Sequence, residues 1–514
     1  MRSRLARGGV RGVFLRLLGF VYLIAFASLA VQIQGLIGER GILPAAPFLG
    51  WAHSVYGAEA YRLLPTLFWL DAGDTALRAA TWSGSALGLL LMFGVRPRLL
   101  LVLLWLLYLS LAVVGQDFLS FQWDALLLET GLLAILWAPR MLPHRASAPV
   151  PLVHGVPQPS APWDEAPAFD PARFLLVFLL FKLMFLSGAT KLLSGDPTWR
   201  HATALDYHFE TQPLPPWTAW YAHHWPSSLH RVLTWGTLAA ELVVPWLLLL
   251  PTRFRRLRLA AVGAIAMLQA GIAATGNYGF FNLLTLVLCV PVLDAAPMFR
   301  LVRRSAEADD AVGRRLAPAW VGVAAVALLA LSASSLVREI TYTLPQGRGA
   351  AWWPAWTDRL SGWIDPFRSV NGYGLFRVMT TERPELVLEG SRDSLHWESY
   401  GFRYKPGDPE RRPGFVAPFH PRLDWQLWFA ALAPGQSLSW LETLGERLRT
   451  GTPEVVGLLG RNPFATAPPR YVRAVLYRYR FTTPDERGRS GAWWARSLEG
   501  TFMLSPSPTA AAGP

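Results

Sequence analysis

Through the first two thirds of the chain, apolar blocks alternate with short arginine-bearing joints; beyond residue 337 this gives way to mixed charge and short alternating runs. A helix needs about 20 mainly apolar residues to cross the roughly 30 Å hydrocarbon core of a bilayer. About nine segments read as candidate spans, near 13–33, 79–95, 99–115, 124–139, 173–193, 232–251, 259–275, 280–297 and 317–337. The stretch 59–71 is also apolar, but Arg62 and Pro65 interrupt it, so it reads as interfacial or re-entrant.

After Leu336 the period changes. Runs 385–389, 397–404 and 470–480 alternate or are rich in β-branched and aromatic residues, with turn signals at 390–391 and 406–408, which predicts antiparallel strands. Residues 422–449 carry apolar positions at helical spacing, with a break at Pro434 and Gly435. The fold class is a polytopic α-helical membrane bundle of about nine spans plus a C-terminal β-rich α+β extramembrane domain. The expected units are the bundle, 1–337, with an outer loop at 194–231, the extramembrane domain, 338–504, and a disordered Pro/Ala/Ser/Gly tail, 505–514.

Charge adds a direction. The net charge is +13, but the basic residues cluster at the ends of apolar blocks instead of forming one face, which argues against a nucleic-acid partner. Arg2, Arg4, Arg7 and Arg11 precede the first span. Counting spans alternately, the joints with Arg96/Arg98, Arg140/Arg145, Arg253 to Arg258 and Arg300 to Arg315 all fall on that same side. The positive-inside rule therefore puts the N-terminus in the cytoplasm and 338–514 outside. The first apolar block is long for a cleaved signal peptide and favours a retained anchor. A single cysteine, Cys289, lies in an apolar run, so no disulfide, CxxC pair or cysteine zinc site can be built within the chain.

Ionisable groups within spans are functional candidates by default. Glu129, Lys182 and Glu241 sit mid-span, with Asp124 and Lys191 nearer the ends. They either pair inside the bundle or line a proton or substrate path. The outer loop is dense in polar and aromatic side chains: Trp199, Arg200, Asp206, His208, Glu210, His223 and His224. Asp206, His208 and Glu210 would share a side if the backbone were extended, which makes a metal or acid/base site conceivable, although no metal motif such as HExxH occurs. The expectation is a hydrogen-bonded knot without metal or cofactor. GNYGFFN (276–282) reads as a tight outer turn in which Asn277 is a candidate and Asn282 a cap for the next helix. In the C-terminal part, Lys405, Asp408, Arg412, Arg422, Asp424 and Trp425 form either a recognition surface or the rim of a core. There is no Walker loop, GxSxG elbow or Rossmann fingerprint, so no motif makes this an enzyme.

Four stretches resemble the lipase maturation factor family. They are FLSFQWDALLLE (118–129); Trp199 and Arg200 with LDYHFETQPLP (205–215) and YAHH (221–224); GNYGFFN (276–282); and KPGDPERRP (405–413) with RLDW (422–425). The resemblance implies a multi-pass membrane protein, of the endoplasmic reticulum in animals, that assists folding and assembly of secreted lipases. Cysteines that the family would place beside the 405–413 turn are replaced here by Tyr404 and Gly414. The Ala/Arg/Pro-rich composition suggests a bacterial member in the inner membrane with a periplasmic C-terminal domain. Its partners would be the bilayer and secreted clients such as lipases. An alternative is a membrane enzyme acting on a lipid or membrane-proximal peptide, with a bundle distantly like the vitamin K-dependent carboxylases and Lys182, Lys191, His208 and Glu241 as acid/base groups. A transporter is least favoured, since no inverted repeat is visible.

Overall fold

The computed structural model describes residues 9–139, 152–153, 156–157, 170–293, 319–344, 355–433 and 438–504. Arg2, Arg4, Arg7, the joints around Arg140 to Arg145 and Arg300 to Arg315, the break at Pro434 and Gly435, and the tail 505–514 lie outside them. Six helical stretches are long and apolar enough to cross a membrane: Gly9–Ala30, Pro97–Val114, Pro171–Leu193, Ser227–Leu248, Thr252–Thr275 and Gly322–Thr343. The main helices are α1 (Gly9–Ala30), α2 (Asp74–Met92), α3 (Pro97–Val114), α4 (Gln122–Trp137), α5 (Pro171–Leu193), α6 (Ala204–Thr211), α7 (Trp217–His223), α8 (Ser227–Leu242), α9 (Arg255–Thr275), α10 (Phe281–Cys289) and α11 (Ala319–Thr343). The other three of the nine expected segments fall short of those six. Asp74 and Arg78 dilute the first turns of α2, α4 has 16 residues, and α10 continues only to Val292.

The bundle is built around α5, 78% of whose apolar window is buried, whereas Thr252–Thr275 and Gly322–Thr343 are 22% and 17% buried and present most of their surface outward. Two glycines set a close contact between α1 and α2. A Cβ on Gly19 would lie 2.9 Å from the Gly88 carbonyl, and one on Gly88 would lie 2.8 Å from the Leu23 nitrogen. Small residues let helix backbones approach this closely, which is how apolar helices gain packing energy in lipid.

Arginines close one end of the bundle. Arg11 reaches Asp170 at 3.3 Å, Arg98 Nε donates to the Ala138 carbonyl at 2.9 Å, and Arg173 Nε donates to the Pro291 carbonyl at 2.7 Å. Asp170 also caps α5 by accepting from the Arg173 N–H, and takes the Trp137 indole N–H at 2.8 Å. The start of α1, the start of α3, the end of α4 and the start of α5 therefore meet at one level.

At the opposite end sits a four-stranded antiparallel sheet in the order β2-β1-β3-β4, formed by β1 (Arg383–Ser391), β2 (Glu398–Ser399), β3 (Tyr471–Phe481) and β4 (Trp494–Met503). β1 pairs with β3 from Arg383 opposite Tyr479 to Ser391 opposite Tyr471. The expected strand 397–404 contracts to two residues, because Gly401 leaves the ladder to bridge Arg461. Strand β4 had no expectation. Two helices, α12 (Arg422–Leu432) and α13 (Ser439–Arg449), account for the helical spacing at 422–449. Helix α12 is buried on nearly every side, between β1 and the bundle end that carries Phe118, Phe121 and Trp123.

The stretch 194–231 is not one irregular loop. It folds into short helices at Pro197–Arg200, α6 and α7, and then enters α8.

Candidate functional site

The candidate residues converge where the C-terminal domain meets the bundle, and nearly all of them are internal joints. Asp124, in the first turn of α4, and Arg422, at the start of α12, form a two-pronged ion pair with N–O distances of 2.8 and 2.9 Å. Both side chains are almost fully buried; Arg422 also donates to the Phe118 carbonyl at 2.6 Å, and the Tyr108 hydroxyl donates to Asp124. A planar guanidinium matches a carboxylate in this geometry, and the extra acceptors offset its desolvation.

A second pair joins Lys182 to Glu129 at 2.6 Å. Glu129 collects further donors from the C-terminal segment: the Asn371 backbone N–H at 3.1 Å and the Tyr373 hydroxyl at 2.8 Å. A third pair is Lys191 with Glu241, at 2.8 and 2.9 Å, with the ammonium 5.1 Å from the Trp199 ring. The mid-span charges thus pair inside the bundle.

Segment 368–379 is laid along the end of the bundle that faces the sheet. Ser369 accepts the Trp105 indole N–H at 3.0 Å, Phe376 accepts the Trp199 indole N–H at 2.9 Å, and the Met379 N–H is held by Asp196. A Cβ on Gly374 would lie 2.9 Å from Thr190 Oγ1, so a side chain there would push the segment off α5.

Asp206, His208 and Glu210 do not all share a side. They lie on helix α6, where Asp206 and Glu210, four residues apart, fall on one face and His208 turns to another. Asp206 contacts His230 Nδ1 at 2.8 Å, His208 lies 3.3 Å from the Tyr278 hydroxyl, and Glu210 accepts the Phe481 N–H at 2.7 Å with His223 3.6 Å away. Among the described residues no group of three His, Cys, Asp or Glu side chains is disposed to hold a metal. Burial, helped by the Lys191 cation, pushes His208 down to about 4. Burial beside His224 and His230 does the same to His223, also about 4. Burial raises the Glu210 carboxyl, against the pull of the Phe481 N–H and Arg383. His224 Nδ1 lies 2.7 Å from the Trp220 carbonyl, and Arg200 reaches the Leu192 carbonyl at 3.4 Å from an exposed position.

Asn277 uses every hydrogen-bonding position it has. Its amide donates to the Leu214 and Gly414 carbonyls, both at 3.0 Å, and its oxygen accepts from Val416 and Ala417 at 2.8 and 3.0 Å. Asn282 does not cap α10; it sits inside the helix and donates to the Gln269 carbonyl at 3.0 Å.

The reading of Lys405, Arg422, Asp424 and Trp425 as domain surface is corrected, since all four are buried. Asp424 accepts the Tyr404 and Lys405 N–H groups, and Trp425 packs on Trp123 and His420. Asp408 and Arg412 are exposed, with Arg412 lying over the Trp217 ring at 4.6 Å. Sequence reasoning missed Arg383, a fully buried cation donating to the Glu210, Gln212 and Pro213 carbonyls and paired with Glu385. Its signal was faint: an arginine two residues before a glutamate on the same strand. It also missed Gln32, which binds the His420 carbonyl and the Arg422 N–H.

Two cavities of about 320 and 370 Å³ lie elsewhere, one lined by Leu67, Phe68 and Ala80, the other by Leu331, Arg338 and Ile364; neither touches Lys182, Lys191, His208 or Glu241. Chemically, the site is an assembly of neutralised charges clamping two halves together.

Comparison with known sequences agrees with this two-part build. The lipase maturation factor transmembrane domain matches residues 9–299, and the lipase maturation factor C-terminal domain matches residues 369–504. The human protein named lipase maturation factor 2 is 38% identical, over 97% of this chain and 82% of its own length. The Xenopus laevis protein of that name is 36% identical, over 95% and 80%. Human lipase maturation factor 1 is 33% identical, over 96% and 87%. No solved structure matches. With both parts matched in order and nearly the whole chain covered, this chain belongs to the lipase maturation factor family.

Proposed function

We propose that this protein is a membrane-embedded maturation factor whose clients are secreted proteins, lipases among them, and that it meets them on the extracytoplasmic face through the C-terminal domain. The maturation role comes with family membership. The observation that carries the platform reading is the clamp: Asp124 with Arg422, Glu129 with Tyr373, and Asn277 with 414–417 fix the domain rigidly on one bundle end. Such a joint presents a surface; it does not prepare a reacting group. The enzyme alternative is not favoured, because Lys182 is held in a buried ion pair with Glu129, and Lys191 in another with Glu241.

A nine-crossing topology fits this reading better than six crossings. Helix α4 begins at Asp124, beside Arg422, and ends at Trp137, beside Asp170, so 16 residues join opposite ends of the bundle. The stretch Phe281–Val292 likewise runs from the Asn277 turn to the Arg173 contact at Pro291. Arginines at one end then mark the cytoplasmic side. In a bacterial host this is the inner membrane with a periplasmic domain; in a eukaryote it is the endoplasmic reticulum with a luminal one. Gene deletion followed by assay of secreted lipases tests the client: we expect lower activity per unit mass, restored by the intact gene. Full activity and normal abundance of every secreted hydrolase would refute it.

A further inference from the structure

We propose that the loop 413–419 of the C-terminal domain is a second membrane anchor, seated in the outer interfacial layer of the bilayer beside the end of α9. The loop, PGFVAPF, has no polar or charged side chain, yet it belongs to the extramembrane domain. Phe415 is 51% exposed, and Ala417 and Pro418 are also exposed. In water such a run would be a liability, since contiguous exposed apolar surface marks an interaction site.

Its position names the partner. Asn277, two residues past the end of α9, grips the loop through the Gly414 carbonyl and the Val416 and Ala417 N–H groups. The Pro413 carbonyl accepts the Trp217 N–H at 3.1 Å, and Thr218, next along α7, bonds the Ala274 carbonyl in the last turn of α9. The Phe415 ring stands edge-on to Trp217 at 6.1 Å. Phe415 and Trp217 are therefore held at the level where a span leaves the hydrocarbon, on a helix whose own surface mostly faces lipid. Aromatic side chains concentrate at that level in membrane proteins. Arg412, exposed and stacked 4.6 Å from Trp217, brings a cation to the same rim, suited to a lipid phosphate. Apolar wedge, aromatic pair and flanking cation together fit a phospholipid leaflet.

The anchor rests on the outward orientation of the C-terminal domain but not on any client. The test uses the full chain in phosphatidylcholine nanodiscs, with the buried Cys289 left in place. Phe415→Cys and, as a second probe on the loop, Ala417→Cys carry an environment-sensitive fluorophore; Leu395→Cys, at a 78% exposed position in the turn between β1 and β2, is the aqueous reference. Lipids with a nitroxide near the headgroup should quench the two loop labels at least threefold more than the reference, and aqueous iodide should do the reverse. Loop labels that iodide quenches as strongly as the reference, without a lipid effect, would overturn the anchor. Shielding that appears only as protein concentration rises would assign the loop to a contact between copies and overturn it as well.

Discussion

Replacing Asp124 by Ala should loosen the C-terminal domain from the bundle without unfolding either. The substitution removes a carboxylate that receives two charged hydrogen bonds and the Tyr108 hydroxyl, and leaves the Arg422 guanidinium with only the Phe118 carbonyl and Tyr108. Arg422 is 1% exposed, so solvent cannot take over. Breaking a buried pair on one side costs about 3–5 kcal/mol, most of it the stranded charge. If the domain opens locally to exchange, that cost speeds amide exchange in Arg422–Leu432 between about a hundredfold and several thousandfold. Hydrogen exchange read by mass spectrometry in nanodiscs resolves this peptide from α5, which should be unchanged. Asp124→Leu with Arg422→Met restores neutrality with apolar groups of similar length and should recover most of the protection. Exchange at the parent rate in the single variant, or a double variant as fast as both singles combined, would refute the reasoning.

Three more expectations come from the same joints. Asn277→Ala removes four hydrogen bonds and should expose 413–419 to protease, at about 1–3 kcal/mol of local stability; Asn277→Asp keeps the acceptor side and should be cut at an intermediate rate. Glu129→Ala should lower the yield of folded protein by size-exclusion chromatography more than Lys182→Met, because the carboxylate also holds Asn371 and Tyr373 while the lysine's main partner is Glu129. His208 stays neutral in the folded protein down to about 4, whereas an unfolded chain protonates it near 6.5. The unfolded state therefore binds the extra proton first, and this contribution to stability, roughly 3 kcal/mol, is whole above pH 6.5 and lost as pH falls toward 4. Thermal melts across that window should be less steep in pH for His208→Gln; an unchanged slope would contradict it.

Much of this was legible in the chain. Apolar length fixed the long helices, Arg11 and Arg98 lie together at one end of the bundle, and β-branched runs gave β1 and β3. What failed has physical causes. Strand β4 is exposed along almost its whole length, so it carries no alternating burial for a sequence pattern to record. Asp206, His208 and Glu210 would share a side only on an extended backbone, whereas the stretch is a helix that buries Ala204 and Phe209. Asp124 was visible as a charge at a span end, but its partner lies 298 residues away, and no local rule couples such positions. Arg422 and Lys405 carry the chemistry of surface residues and are buried only because a carboxylate waits at each. Segment 368–379 had no signal, since it has no regular secondary structure and about half of its bonds run through backbone atoms.

The distance between Asp124 and Arg422 also sets an order of events during synthesis. Helix α4 is made with a carboxylate whose counter-ion is not yet made, and Glu129 waits 244 residues for Tyr373. A buried pair lacking one partner costs about 3–5 kcal/mol, so the early bundle is held short of its final stability until the last third of the chain arrives. A product that stops before residue 422 keeps that deficit permanently. The buried pair thus ties the final stability of the bundle to the arrival of the last third of the chain.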